Sequence, residues 1–364
     1  MRYLTAGESH GKYLTGILEG FPAGVHITRA YIAAQLKRRR QAPGRSSRQA
    51  LETDNFEIIS GLDGDVTTGA PISVLVENKS RALPASSSVP RPGHADLAGM
   101  LKYGTFNAGL IRERASARET AARVTLGSFA LRLHEILGVQ IYSRILSLGA
   151  IGSITAATAA AELARARRAG DTLGGTFEVI AENLPAGLGN FTQWDRRLGA
   201  RLGSAMMGIN GVKGFEVGGG FGLAAIGGIE ASKDPEVSGG LDGGMTNGRA
   251  LILHCAVKPV PGLPGGTMSS DLRNFKKTLS VSRTSDTTAV FAATVVAEHA
   301  AALELAVALL EKFGGDSLAE INPRVDEWRK RATSPRQNPP RKQIPSSSAT
   351  NTTPSLALPL QKHR

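Results

Sequence analysis

Two histidines lie in glycine-containing turns, a setting in which an imidazole ring stays open to a bound molecule. His10 belongs to the sequence GESHG at residues 7–11, and His94 belongs to RPGHAD at residues 91–96. Glycine lets the backbone approach a ligand closely, and imidazole is the side chain that most often transfers protons near neutral pH. The two turns therefore predict acid–base chemistry. For the second turn an alternative stays open, in which Asp96 caps the next helix and His94 is a solvated loop residue.

Arginines are concentrated in two further segments. Residues 37–48 read KRRRQAPGRSSR, and pairing of cations with the end of a helix dipole explains the first half of that run. Arg45 and Arg48 lie beyond the predicted helix, in a Pro-Gly-Ser loop where guanidinium groups could close on a phosphate or a carboxylate. Residues 114–123, RASARETAAR, are predicted to be helical, with Arg114 and Arg118 one turn apart on a face lined by alanines. That face could hold a flat anionic ligand, and an ordinary surface helix is the alternative.

Two other segments have both a chemical and a structural interpretation. Asp286 precedes a long apolar helix in the sequence SDTT; such a residue usually caps the helix, and a general base is the alternative. Residues 213–222, KGFEVGGGFG, lead from a strand into glycines. The helix that a dinucleotide-binding fold requires does not follow, so we expect a ligand-facing loop or a strand bend there.

The pattern of elements predicts an α+β protein. Short β-like runs with partial two-residue alternation favour antiparallel sheets, and they are mixed with alanine-rich helices without a regular βαβ order. Helices are predicted to begin at Thr28, to run from about 113 to 137, to lie near 194–207, and to end at Gly314. We find no fixed-period repeat. One domain over residues 1–328, followed by a tail over 329–364, is the predicted organisation.

Composition limits the compartment and the partners. Among 364 residues the only cysteine is Cys255, so no disulfide or cysteine-based zinc site is expected within the chain, and the cytoplasm is the expected location. No signal peptide or membrane span is expected, and no metal site. Residues 329–364 carry +8 of the formal charge of +12 and no acid, and they are rich in Pro, Ser and Thr, which predicts a disordered tail.

Seven motifs together resemble the chorismate synthase family, in the family's order and at about its spacing. They are GESHG (7–11), RRRQAPGRSSR (38–48), RPGHADLAGMLKYG (91–104), ERASARETAARV (113–124), GVKGFEVGGGF (211–221), GGMTNG (243–248) and ALLEKFGGDSL (308–318). The resemblance covers roughly residues 1–325. It implies a layer of long helices between antiparallel β-sheets, usually assembled as a homotetramer.

The resemblance also implies a reaction. Family members convert 5-enolpyruvylshikimate 3-phosphate to chorismate and phosphate by a 1,4-anti elimination that requires reduced FMN without net redox change. By that likeness His10 would protonate the departing phosphate, and His94 would lie near the flavin N1/C2 carbonyl, where it would supply or stabilise a proton. Asp286 would lie by flavin N5 and help to remove the C6 proton.

The resemblance further implies ligand-binding residues. The arginines that would hold the phosphorylated carboxylate substrate are Arg39, Arg45, Arg48, Arg91, Arg114 and Arg118. The flavin pocket would include Arg114, Ser116, Arg118, Asn247, Lys258 and Ser285. No nicotinamide site is evident in the sequence, so dependence on an external flavin reductant is expected.

The chain departs from the family's usual pattern at 105–109, 219, 234–238, 262 and 284. Where the family commonly has two acids and an arginine after Lys-Tyr-Gly, this sequence reads TFNAG. Because the changes cluster around the implied flavin site, weakened FMN binding or reduced turnover is expected. A family relative with little activity is therefore the alternative function. A nucleic-acid binder is not favoured, because most of the excess charge lies in a tail with few aromatic residues.

Overall fold

Two predicted helix ends, the start at Thr28 and the end at Gly314, are confirmed and are determined by local sequence signals. In the computed structural model, which describes residues 1–46, 52–81, 86–281 and 286–333, the Thr28 hydroxyl accepts a hydrogen bond from Tyr31 N and caps the first helix. Gly314, with a φ of 62°, follows the end of the long apolar helix. The helices are α1 (Arg29–Arg40), α2 (Asp96–Tyr103), α3 (Ala108–Ala115), α4 (Thr120–Ile136), α5 (Ala156–Arg168), α6 (Leu198–Met207), α7 (Gly228–Ala231), α8 (Val290–Phe313) and α9 (Leu318–Thr333).

Within the described residues the strands form two four-stranded antiparallel sheets and three two-stranded hairpins. The strands are β1 (Arg2–Ala6), β2 (Tyr13–Glu19), β3 (Phe56–Ser60), β4 (Leu62–Asp63), β5 (Val66–Thr67), β6 (Ile72–Glu77), β7 (Gln140–Leu148), β8 (Gly175–Glu182), β9 (Val212–Val217), β10 (Leu241–Asp242), β11 (Met245–Thr246), β12 (Leu251–Val257), β13 (Thr267–Ser270) and β14 (Lys277–Ser280). The first sheet has the order β1-β2-β6-β3, and the second has the order β7-β8-β12-β9. The hairpins are β4-β5, β10-β11 and β13-β14.

Long helices fill the space between the two sheets. Helices α4 and α8 pack against each other; α4 also contacts β2 and β6 of the first sheet, and α8 contacts β7 and β8 of the second. The two helices approach closely at Gly127, where an added Cβ would lie 2.5 Å from His299 Cβ. The architecture expected from the sequence, a helical layer between antiparallel sheets, is confirmed.

Helix α8 corrects one expectation about membranes. The sequence analysis predicts no segment long and apolar enough to span a bilayer, whereas α8 meets that test by length and hydropathy among the described residues. However, 83% of its apolar window is buried inside the fold. An apolar helix that is buried on nearly all sides is what the centre of a large core requires, and α8 has that role.

The structure also reveals a duplication that the sequence analysis does not find. Each half of the chain has a four-stranded sheet with the same strand order, and each sheet leads to one long central helix, α4 or α8. Sequence similarity between the halves is confined to short motifs: PAGV at 22–25 matches PAGL at 185–188, and LDGDVTTG at 62–69 matches LDGGMTNG at 241–248. Such short matches are not separated by a constant interval, so no period appears.

Two buried threonines occupy equivalent positions in the halves. Thr67 Oγ1 accepts a hydrogen bond from Val25 N at 3.0 Å and donates one to Pro22 O at 2.7 Å. Thr246 Oγ1 makes the same pair of bonds with Leu188 N and Pro185 O, at 2.9 and 2.6 Å. The motifs are therefore alike because each connects a β-hairpin to the turn that leads into a helix.

The predicted boundary of the tail is five residues too early. Helix α9 continues to Thr333, and Trp328 within it donates a hydrogen bond to Ala186 O and stacks under the Lys312 ammonium at 3.5 Å from the ring centre. Residues 334–364 lie outside the described part of the chain, and the prediction of a disordered tail applies to them.

We expect Thr67→Val and Thr246→Val to destabilise the protein to a similar extent, by roughly 1–3 kcal/mol each. Valine has the same shape without the hydroxyl, so each substitution leaves a buried carbonyl and N–H without partners. Urea unfolding of both variants measures the effect, with exposed Thr53→Val as the control. If only one of the two buried substitutions destabilised the protein, the equivalence of the halves would be refuted.

Candidate active site

The turn that carries His10 is bound to helix α3. His10 Nδ1 lies 2.7 Å from Glu113 Oε1, and His10 N donates to Glu113 Oε2, also at 2.7 Å. Ser9 N donates to the Glu113 carbonyl at 3.0 Å. Both carboxylate oxygens of Glu113 and its backbone oxygen thus accept hydrogen bonds from two consecutive residues of the turn. These bonds hold the imidazole in one orientation.

Asn78 and Arg118 support the same turn from the other side. Asn78 Nδ2 donates to the carbonyls of Glu8 and Gly11, at 3.0 and 2.9 Å. Arg118 Nε donates to Asn78 Oδ1 at 2.7 Å, which sets the direction of the amide. The rest of the Arg118 guanidinium pairs with Asp54 and with the Glu77 carbonyl.

Asp96 organises the turn that carries His94. Its carboxylate accepts hydrogen bonds from His94 Nδ1 at 2.5 Å and from Arg91 N at 2.9 Å. It also pairs with the guanidiniums of Arg91 and Arg112, at 3.2 and 2.8 Å. Arg91 Nη2 lies 3.1 Å from His94 Nδ1 and 3.0 Å from Nε2, so the guanidinium lies against both nitrogens of this imidazole.

The structure corrects the predicted role of Asp96 as a helix cap. The N-cap residue of α2 is Ala95, without a side-chain hydrogen bond, and Asp96 is the first helical residue. Burial by itself would raise the pKa of the Asp96 carboxyl; the hydrogen bonds from His94 and Arg91 N, with the Arg91 charge, outweigh burial and hold the pKa well below its usual range. Asp96 therefore orders the turn as a charged acceptor.

The predicted continuous helix from 113 to 137 is wrong, because the chain bends at Ser116. Helix α3 ends at Ala115, Ser116 has an extended backbone with a ψ of 139°, and a 3₁₀ turn over Ala117–Glu119 precedes α4. The Ser116 hydroxyl accepts from Arg118 N at 3.2 Å. Serine commonly ends one element and caps the next in this way.

The bend separates the two arginines that were expected to share a helix face. Arg114 donates to the Thr5 carbonyl at 2.8 Å and lies on the edge of the first sheet. Arg118 turns inward, and its side chain is only 3% exposed. A direct contact of Arg118 with a substrate or a flavin stays a prediction; in this structure its groups bind protein atoms.

Asp286 lies in the second half of the chain and is held by the loop after α1. Asp286 Oδ2 pairs with Arg45 Nη1 at 2.8 Å, and Oδ1 accepts from Ser46 N at 2.7 Å. Thr287 N donates to the Gly44 carbonyl at 2.7 Å. The loop after α1 thus holds Asp286, and within the described chain its carboxylate accepts no helix-capping hydrogen bond from α8.

Arg39 is buried near the Arg45–Asp286 ion pair. Its side chain is 1% exposed, and it donates to Thr120 Oγ1 at 2.8 Å and to the Ala117 carbonyl at 3.0 Å. Burial lowers the pKa of Arg39 to about 9, partly offset by Asp54, and the charges of Arg45 and Arg118 lower it further. The three guanidiniums therefore lie close enough to repel one another, and each is balanced by a nearby carboxylate; substrate contact by Arg39 stays a prediction.

A cationic cavity of about 420 Å³ adjoins the His10 turn through one of its lining residues, Arg114, which donates to the Gly7 carbonyl at 3.4 Å. Its lining residues are Arg114, Glu119, Arg123, Met207, Gly208, Ile209, Asn210, Gly211, Val212, Lys213 and Lys258. Glu119 is neutralised by an ion pair with Arg123 at 2.7 Å. The Lys258 ammonium donates to the Gly93 carbonyl and so connects the cavity to the His94 turn.

The cavity fits the anionic end of a ligand better than it fits a neutral one. Its four cationic side chains face a single, already paired carboxylate, which is the donor set that phosphate and carboxylate groups require. The buried Asn210 Oδ1 lacks a hydrogen-bond partner in the described structure and is an acceptor for a donor group of a ligand, not for its anionic end. The volume lies within the range of small-molecule sites.

Several other predicted ligand residues lie elsewhere or outside the description. Asn247 Nδ2 donates to Ser238 Oγ at 3.2 Å and to Asp242 Oδ2 at 2.9 Å, so it stabilises the β10-β11 hairpin. Arg48 and Ser285 lie outside the described residues. Among the described residues no group of three His, Cys, Asp or Glu side chains could hold a metal ion.

Two of the departures from the family pattern have structural explanations. Asn107 caps α3, because its Oδ1 accepts from Gly109 N at 3.0 Å. The glycines after β9 close on the following segment: Gly219 N donates to the Val237 carbonyl at 2.8 Å, and an added Cβ at Gly219 would lie 2.9 Å from the Leu223 side chain. The segment from 218 to 239 is thus packed against itself.

The sequence analysis missed the residues that position the predicted ones. Glu113, Asn78 and Arg112 hold the two histidine turns, and Arg123 and Lys213 line the cavity. Glu113 and Arg123 lie in the motif ERASARETAARV, and their charge was the one feature of the sequence that could have indicated a role in the site. Asn78 follows β6 and gave no signal, since an isolated asparagine after a strand is typical of any turn.

An α+β fold with two carboxylate-bound imidazoles near a cationic cavity is the arrangement expected of an enzyme that acts on an anionic substrate. A sequence profile described as chorismate synthase matches residues 1–310. A chorismate synthase of Desulforamulus reducens is 41% identical over 90% of this chain and 98% of its own length, and one of Thermobifida fusca is 42% identical over 88% and 96%. A solved structure, "Crystal Structure of Chorismate Synthase", matches with a TM-score of 0.74 and 32% identity over 90% of this chain and 97% of that chain. The chain belongs to the chorismate synthase family and is an enzyme of the lyase class.

We expect Asp96→Asn to reduce the free energy of unfolding by roughly 3 kcal/mol at pH 7, because the arginines around this buried site lose their counter-charge. Since the folded-state pKa of Asp96 is lowered, its stabilising contribution is present above the unfolded pKa, about 4, and is lost as the pH falls below it. The difference between the two proteins should therefore shrink on acidification.

Urea unfolding at pH 7 and pH 3 measures both effects, with exposed Asp195→Asn as the control. A loss below about 0.5 kcal/mol at pH 7, the level of an ordinary surface substitution, would show that the Asp96 charge does not hold the turn.

Proposed function

We propose that this enzyme eliminates phosphate from 5-enolpyruvylshikimate 3-phosphate to form chorismate, in the shikimate pathway of aromatic amino acid biosynthesis. The observation that carries the proposal is the pair of histidines, each bound through Nδ1 to a buried carboxylate, next to one cationic cavity. Family membership supports the same reaction.

The elimination needs a proton donor at the departing phosphate and a proton acceptor at carbon, because phosphate leaves better when protonated and a C–H bond is a weak acid. His10 is the proposed donor: with Nδ1 bound to Glu113, its Nε2 is the nitrogen left to act on the substrate. Asp286 is the proposed acceptor. Its oxygens already accept from Arg45 and Ser46, but a carboxylate has further lone pairs.

His94 is proposed to serve the flavin side of the site. When bound, reduced FMN would supply an electron-rich ring beside the reacting carbon atoms. The residues that would hold its anionic group are the cavity cations Arg114 and Lys258, together with Arg123 and Lys213. Substrate and flavin phosphate together carry on the order of six negative charges, which explains why the site needs so many cations.

We also propose three further properties on the basis of family membership. A homotetramer is supported by exposed apolar side chains on α2, α3 and the turn between them, Leu101, Tyr103, Phe106 and Leu110, all more than half exposed. An external reductant would keep the flavin reduced. A cytoplasmic location fits a pathway of soluble metabolites.

An anaerobic assay with chemically reduced FMN and the enolpyruvyl substrate tests the function by phosphate release. His94→Ala should lower kcat by roughly 10²- to 10⁴-fold, the range for a group that transfers a proton. His254→Ala, a histidine on β12 that pairs with Glu178, is the control and should retain activity. Folded wild-type protein that releases no phosphate would refute the proposed reaction, and a loss under about threefold in the His94 variant would remove His94 from it.

A second candidate is a family member with weakened flavin binding. It is favoured by the self-packed segment 218–239 and by Asn247, whose amide binds Ser238 and Asp242. We expect the dissociation constant for FMN to exceed that of the Thermobifida fusca relative by at least about tenfold, or ~1.4 kcal/mol. Titration of both proteins, followed by flavin fluorescence, measures the difference. Equal dissociation constants would eliminate this candidate.

A further inference from the structure

Glu113 makes contacts that exceed what a helix end requires. Its side chain is 7% exposed, and within the described chain both hydrogen bonds of its carboxylate are to His10, one with the ring and one with the backbone N–H. We propose that Glu113 is a positioning residue that fixes the tautomer and the direction of the His10 imidazole. The inference deepens the proposed function and rests on it for the role of His10.

The direction of the hydrogen bond determines where the ring carries its proton. A carboxylate only accepts, so His10 Nδ1 must donate to Glu113 Oε1. The neutral ring then has its lone pair at Nε2, and the protonated ring presents an Nε2–H. In both states the working nitrogen is the one that points away from α3.

The backbone bond makes the orientation rigid. Because Glu113 Oε2 accepts His10 N while Oε1 accepts Nδ1, the same carboxylate holds both ends of the residue. Rotation of the ring about its Cβ–Cγ bond would break the second bond in a site only 14% exposed for the histidine side chain. Loss of a hydrogen bond that cannot be replaced by water is costly.

The second histidine lacks such a dedicated partner. The Asp96 carboxylate that binds His94 is shared with Arg91 and Arg112, and His94 Nε2 faces Arg91. The two imidazoles are therefore held differently: among the described contacts Arg91 lies against the His94 ring, whereas the His10 ring is bound by Glu113 alone.

Two substitutions test the role of Glu113. Glu113→Met keeps the volume and removes both acceptors, whereas Glu113→Gln keeps one. We expect kcat to fall by roughly 10- to 10³-fold in the Met variant and less in the Gln variant, with KM changed by less than about threefold, since substrate contacts are untouched. Glu162→Met and Glu162→Gln are the controls, because Glu162 is equally buried and pairs with Arg165 on α5.

The tautomer supplies a readout that a merely structural role would not move. Solid-state NMR of protein labelled with ¹⁵N-histidine distinguishes Nδ1–H from Nε2–H, and the spectrum of His10→Gln identifies the His10 signals. We expect a neutral Nδ1–H ring in the wild type and loss of that form in Glu113→Met, with thermal unfolding confirming that both variants fold.

The outcomes separate this inference from the proposed reaction. A wild-type protein without phosphate release but with a Glu113-dependent Nδ1–H ring refutes the reaction and supports the positioning role. An Nδ1–H ring and kcat that are both unchanged in Glu113→Met overturn the positioning role. A fall in kcat with an unchanged tautomer also overturns it, because Glu113 would then act by another route.

Discussion

The site depends on one short helix, α3, and on three consecutive charged residues within it. Arg112 binds the Asp96 carboxylate that holds His94, Glu113 binds His10, and Arg114 binds the edge strand beside His10. Successive residues of a helix point about 100° apart, so neighbours in sequence contact different parts of the site. The two histidine turns, more than eighty residues apart in the chain, are therefore both fixed to the same two turns of helix.

Buried ion pairs hold this helix against the core. Arg118, just after the bend, and Arg39, on α1, are both almost fully buried, and both pair with Asp54. Replacing a buried pair with apolar side chains is often neutral for stability, whereas removing one partner is strongly destabilising. These arginines therefore define how the chain bends at Ser116 more than they add to the free energy of folding. The bend is what turns Arg114 towards the cavity and Arg118 away from it.

The duplicated fold explains why the site forms where it does. In each half, the connection from the fourth strand to the long helix carries functional side chains: His94 lies between β6 and α4, and Asp286 between β12 and α8. Each connection contacts a loop that follows a helix of the other half: Asp286 contacts Arg45 after α1, and Ala115 accepts from Asn210 after α6. Because the long helices pack side by side, the crossed connections meet at one end of the helical layer.

The sequence by itself determined the class of fold, the family, and which residue types carry the chemistry. Local signals were sufficient for these predictions. The Thr28 cap and the Gly314 terminus act within a few residues, and GESHG and RPGHAD are each an unbroken run of residues. Tertiary structure alone decided which carboxylate serves which histidine, since Glu113 lies 103 residues from His10 and Asp96 proved to be an acceptor rather than a cap. It also decided which arginines line the cavity and which are buried against protein atoms. Propensity predicts a helix through Ser116, but the buried partners of Arg39 and Arg118 outweigh it, and no local pattern encodes partners that are distant in the chain.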